Sequence, residues 1–122
     1  MLYKYKTSYL RISPRKMRFI VPAFINKKAD FALQTLELRP EKGAFLILKC
    51  LRSAISASKN RGAIEEDLKI KAMMIDEGPR LKRRLIKPRG RADLIMKRMS
   101  HITIVLKDKR KRKKKIDQKS KI

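Results

Sequence analysis

Two apolar runs with a period of two stand far apart in this chain, and the segment between them cannot form a core. Ile70, Ala72 and Met74 would share one face of an extended strand. Ile102, Ile104 and Leu106 repeat the pattern further on. The stretch between is dominated by Lys and Arg and punctuated by Pro79, Pro88 and Gly90. Hairpin loops in compact domains run to about 2–5 residues. Here roughly twenty residues intervene, with too few apolar side chains to fold inward. If the two halves pair, each arm is about ten residues, or roughly 30 Å at about 3.3 Å per residue. Such a ribbon is marginal alone in water. Its charges repel one another unless a polyanion surrounds it.

Composition points the same way. The 122 residues carry 35 basic against 11 acidic side chains, a formal net charge of +24. Solubility needs far less. A polyphosphate partner fits, because each cation that meets a phosphate releases a counterion. An apolar fraction of 43% is enough for one small core. The one cysteine, Cys50, rules out a disulfide within the chain and fits a reducing compartment. The N-terminal residues show no apolar run of signal or transit-peptide type, and no stretch approaches the length of a membrane helix.

Taken in order, residues 3–12 alternate and predict an edge strand, with Tyr3, Tyr5, Thr7 and Tyr9 on one face. The tyrosines could stack on bases; packing over the sheet is the weightier reading. Ser13-Pro14 opens a helix with Met17, Ile20, Val21 and Phe24 inward and Arg15, Lys16 and Arg18 outward. Pro22 predicts a bend or an early end near Ile20. Asp30 is the expected cap of a second helix packed through Phe31, Leu33, Leu36 and Leu38. A third, longer helix follows Arg39, with Pro40 at its first position and Ala44, Phe45, Leu48, Leu51, Ala54 and Ile55 inward. Gly62 ends it. Ile64 to Leu68 turns into the Lys69–Ile75 strand, and a strand over Ser100–Leu106 follows the hairpin, which spans about 76–98.

The fold class is therefore α+β: a small three-stranded antiparallel sheet packed by three helices, with a protruding hairpin. Residues 1–108 form one domain. The basic tail, 109–122, is expected to be disordered without a partner.

Asp76 and Glu77 are adjacent on a strand, so they point to opposite faces and cannot share a substrate. A salt link steadying the base of the arm is the better role. His101 is the only histidine, which argues against a metal site. Met73, Met74, Met96 and Met99 read as core filler. No catalytic or cofactor constellation is present. By contrast Arg80, Lys82, Arg83, Arg84, Lys87, Arg89 and Arg91 fall within twelve residues. Arginine dominates, which favours bidentate phosphate contact and stacking on bases.

Asp76-Glu77-Gly78-Pro79, Lys82-Arg83, Gly90-Arg91-Ala92-Asp93 and Ser100-His101-Ile102-Thr103 together resemble the family of ribosomal protein twenty-two of the large subunit, bacterial type. Ser13-Pro14-Arg15-Lys16-Met17-Arg18 and Ser53-Ala54-Ile55 are similar to the same family, and the likeness covers roughly residues 5–108. It departs at Lys87-Pro88-Arg89-Gly90-Arg91, where the family's proline is placed differently, and at Pro22.

The resemblance implies a non-enzymatic constituent of the large ribosomal subunit that needs no cofactor. Its hairpin would bridge rRNA domains during assembly, and its tip would line the nascent-peptide exit tunnel. The residues so implicated in rRNA binding are Arg80, Lys82, Arg83, Arg84, Lys87, Arg89 and Arg91 on the arm. From the domain they are Lys6, Arg11, Arg15, Lys16, Arg18, Lys59, Asn60, Lys97, Arg98 and His101. Lys109 and Arg110 join them from the tail. Arg83, Arg84, Leu85, Ile86 and Lys87 would form the tunnel-lining tip. Partners would be large-subunit rRNA, neighbouring large-subunit proteins and the nascent peptide, with no membrane and no second copy of the chain. The location would be the cytoplasmic ribosome, or an organelle stroma or matrix if organelle-encoded. Two rivals remain: a DNA-binding architectural protein, and a peripheral membrane protein that uses the tail.

Overall fold

The computed structural model describes residues 1–109. The tail expectation beyond Lys109, Arg110 included, falls outside them. Strand β1 (Leu2–Leu10) is followed by helix α1 (Pro14–Ile20), a 3₁₀ turn at Val21–Phe24, helix α2 (Ala29–Leu38) and helix α3 (Lys42–Asn60). A 3₁₀ turn at Glu65–Asp67 leads into β2 (Leu68–Ile86), which a turn at Pro88–Gly90 joins to β3 (Ala92–Asp108). The sheet is antiparallel in the order β1-β3-β2. The helices cover one of its faces, as the α+β reading requires.

β3 is central because it has the cleanest apolar alternation. Ile102, Ile104 and Leu106 are all buried against the helices. β2 obeys the same rule only in part. Leu68 and Ile70 point inward, then a bulge between Ile70 and Ala72 inserts one residue and reverses the phase. Met73 and Ile75 are buried instead of the expected Ala72 and Met74, and Met74 is 45% exposed. A second irregularity, between Thr7 and Leu10, ends the alternation of β1. Tyr3 and Tyr5 pack inward, but Tyr9 takes φ 60° and turns out to solvent.

Pro22 acts as expected. The α-helix stops at Ile20 and tightens into the 3₁₀ turn, which keeps Val21 and Phe24 in the core. Ser13 occupies the cap position of α1, though its hydroxyl makes no capping bond. Three details of the other helices correct the sequence reading. Lys28 rather than Asp30 caps α2, so Ala29, Ala32 and Leu36 face inward while Phe31 and Leu38 are exposed. Glu41 caps α3, which leaves Pro40 just outside it. Phe45 is exposed under the Lys49 ammonium, 4.5 Å from its ring centre, and Ile47 takes the inward place. α3 ends at Asn60, and Gly62 reverses the chain at φ 89°.

Candidate nucleic-acid interface

The arm begins where β2 and β3 lose their helix cover. An extra residue lies between Glu77 and Arg80, opposite Met99. Gly78 belongs to this bulge. A Cβ there would lie 3.0 Å from the carbonyl carbon and oxygen of Met99, so the two backbones approach closely because residue 78 has no side chain. Glu77 pairs with Arg80 at 3.3 Å, the salt link expected at the base of the arm.

Beyond that point pairing continues from Arg80↔Arg98 to Ile86↔Ala92. This is on the order of 20 Å of ladder at about 3.3 Å per residue. Every residue from Pro79 to Arg98 is exposed. Directly paired residues share a face of the ribbon. One face therefore carries Arg80, Arg98, Lys82 and Arg84 with Met96, Leu94 and Ile86, and no carboxylate. The other carries Arg83 and Lys97 with Asp93 among Leu81, Leu85 and Ile95. The arm is thus strongly cationic on one side and nearly balanced on the other. The methionines are not all core filler: Met73 is buried, but Met74 and Met96 are exposed.

The turn closes with the Lys87 N–H donating to the Arg91 carbonyl at 2.8 Å and the Lys87 ammonium 3.1 Å from Asp93. Arg89 and Gly90 both have positive φ, and together they reverse the chain. The apex is therefore Pro88–Gly90. Of the expected tip residues, Leu85, Ile86 and Lys87 adjoin it, while Arg83 lies back along the ladder opposite Ile95. Ile86 is 87% exposed.

At the root of the arm a cleft of about 570 Å³ opens between the ribbon and the starts of α1 and α3. Arg11 and Lys16 face Arg83, Lys97 and Arg98 across it, and Lys42 completes the wall. Lys42 was not among the residues singled out from sequence. It is a lone cation in the first turn of α3, and only the packing of α1 on α3 brings it here.

The remaining sequence candidates divide. Arg15 is exposed beside Lys16, along an adjoining groove that includes Phe19. Arg18 does not simply face outward: its Nη2 and Nε donate to the Ile75 carbonyl at 2.9 and 3.3 Å, tying α1 to β2. Lys59 is ion-paired with Glu65, and Asn60 is exposed at the end of α3. Lys6 lies on the helix-free face of the sheet, opposite Thr103. His101 is half-buried on that face, and its Nδ1 accepts the Tyr9 backbone N–H. Cys50 is buried and unbridged; burial pushes its thiol pKa up, and a hydrogen bond from the Thr7 side chain offsets this in part.

The family model described as Ribosomal protein L22p/L17e matches residues 5–107. Curated relatives agree. The large ribosomal subunit protein uL22 of Petrotoga mobilis is 47% identical over 104 residues, which covers 84% of this chain and 70% of that protein. That of Thermus thermophilus is 45% identical over 102 residues, covering 83% of this chain and 90% of its own length. That of Treponema denticola is 43% identical over 109 residues, with 88% and 92% covered.

Proposed function

The chain belongs to the Ribosomal protein L22p/L17e family, and from that premise we propose that it is a non-enzymatic constituent of the large ribosomal subunit that staples segments of the large-subunit rRNA together. The observation that carries this reading is the ladder from Arg80↔Arg98 to Ile86↔Ala92, exposed along its whole length and loaded with cations on one face. No residue from Pro79 to Arg98 is itself part of the domain's core, so the arm's charge and length serve something outside. RNA phosphates on either side of the ribbon repel each other, and the arm screens that repulsion.

In this reading the arm enters between rRNA segments while the root cleft holds the backbone of one of them. Arg11, Lys16, Lys42, Lys97 and Arg98 supply the phosphate contacts there. The apex at Pro88–Gly90, with Leu85, Ile86 and Lys87 beside it, lines the path of the nascent peptide. The exposed Ile86 gives that wall an apolar element. Neighbouring large-subunit proteins pack around the domain. Location follows the ribosome: cytoplasmic, or the stroma or matrix if the chain is organelle-encoded.

The test is binding of the full chain to large-subunit rRNA over a range of salt. The logarithm of affinity falls with log salt by roughly 0.7–0.9 per phosphate neutralised. Replacing Arg80–Arg98 with a tight two-residue turn should flatten that slope and leave the domain folded. An unchanged slope, or preference for duplex DNA in competition, would defeat the reading.

A further inference from the structure

Lysine also gathers at the end of the sheet away from the arm, where the sequence reading singled out Lys6 and Lys109 but none of Lys28, Lys69 and Lys107. Lys69, near the start of β2, pairs directly with Lys107 of β3. On its other side Lys69 pairs with Lys28, in an isolated bridge formed by the connector before α2. Paired residues project to the same side. Leu68, Ile70 and Leu106 are buried beneath the helices, so the three lysines between and beside them lie on the opposite, helix-free face. The result is a row of three ammonium groups crossing adjacent strands, spaced by roughly 5 Å per strand. Lys4 and Lys6 extend positive charge along β1 on that face.

Like charges directly opposed across a sheet are destabilising. The charge of Lys109, then desolvation, then the charges of Lys28 and Lys107 pull the Lys69 ammonium below the usual lysine pKa range. None of these four lysines forms an ion pair with a carboxylate among the described residues. A shallow hollow of about 350 Å³ lies beside the row, lined by Asn26, Lys27, Lys28, Phe31 and Lys69. The Phe31 ring there is half exposed.

We propose that the Lys28–Lys69–Lys107 row is a second binding site for an RNA sugar–phosphate backbone, with Phe31 offering a face on which an unpaired base stacks. This rests on the rRNA-binding reading above and extends it. The row and the arm root stand on the order of 30 Å apart along β2, at about 3.3 Å per residue. A domain held at both ends contacts two RNA segments, so the globular part staples as well as the arm. Lysine is a compact point charge without the planar fork of arginine. The row therefore grips backbone without regard to sequence. An aromatic face beside a cationic row suits single-stranded nucleic acid better than an acidic peptide.

The experiment uses the full chain and a large-subunit rRNA transcript, titrated over salt. Four proteins are compared: wild type, a K28Q/K69Q/K107Q variant, the arm replacement alone, and the two changes combined. With three fewer phosphates neutralised, the salt slope of the lysine variant should flatten by about 2. Combined with the arm replacement, the two reductions should add. The melting temperature of the lysine variant should hold or rise, because repulsion is relieved. A photo-cross-linker at Phe31 in assembled subunits should join to rRNA. An unchanged slope in the lysine variant overturns the proposal, as does cross-linking of position 31 to protein alone. Failure of wild type itself to bind the transcript in a salt-dependent way would instead bring down the rRNA reading, before any variant is measured.

Discussion

The backbone N–H of Tyr9 donates to Nδ1 of His101 at 3.0 Å, and the two rings meet edge to face with centroids 5.1 Å apart. This contact holds Tyr9 in a left-handed conformation that costs an L-residue about 1–2 kcal/mol. It joins the irregular end of β1 to β3 just where the arm departs. With Nδ1 accepting, Nε2 is the ring nitrogen left to face an outside acceptor such as phosphate. His101→Ala should lower stability by about 1 kcal/mol, the scale of one part-exposed hydrogen bond. Urea unfolding would show it as a lower midpoint with an unchanged m-value.

Ser100 tests a neighbouring joint. Its buried hydroxyl donates to the Ile12 carbonyl at 3.0 Å, fastening the loop before α1 to β3. Ser100→Ala strands that carbonyl away from water. A loss of about 1–3 kcal/mol is expected, larger than for His101→Ala. Equal or smaller destabilisation in denaturant unfolding would mean that the carbonyl finds another donor.

Most of the architecture could be read from the sequence, and the misreadings share a cause. β3 was legible because Ile102, Ile104 and Leu106 alternate without interruption. The break at Pro22 was legible because a proline acts locally. Met74 and Tyr9 were misplaced because bulges near Lys71 and Ser8 shift the alternation, and a bulge depends on the partner strand. Phe31, Leu38 and Phe45 were expected inside as members of the apolar sets of α2 and α3. Small residues such as Ala29, Ala32 and Gly43 take the tight places instead. The basic arm declared itself by density. Lys42 and the Lys28–Lys69–Lys107 row did not, because their partners lie far away in sequence and only the fold assembles them.

Gly78 governs the root of the arm. A methyl group at this position would press on the Met99 backbone, which cannot swing aside as a side chain can. Gly78→Ala should therefore cost about 1–3 kcal/mol through overpacking. It should also disturb the Arg80↔Arg98 pairing next to it, so rRNA affinity should fall although no cation is removed. Amide exchange provides the check: protection should drop along the arm ladder while the Ile102–Leu106 segment stays protected.

Alkaline pH should set two perturbed groups against each other. The Cys50 thiol is raised above its ordinary 9.0, chiefly by burial. As pH climbs past 9.0 the unfolded thiol ionises first, so the folded state holds more protons and stability declines. The Lys69 ammonium is lowered beneath its ordinary 10.5, chiefly by Lys109. Below 10.5 the folded state is the first to shed that proton, so this group makes stability rise with pH across the window under 10.5. Cys50→Ala removes the declining contribution and Lys69→Gln removes the rising one. Between about pH 8 and about pH 10, the urea midpoint should fall less for Cys50→Ala than for wild type, and more for Lys69→Gln. Three parallel midpoint curves would show that neither group is perturbed by the fold. Because Cys50 is the only cysteine of the chain, a thiol reagent gives an independent reading: labelling should track global unfolding, and fast labelling of the native protein would contradict its burial in α3.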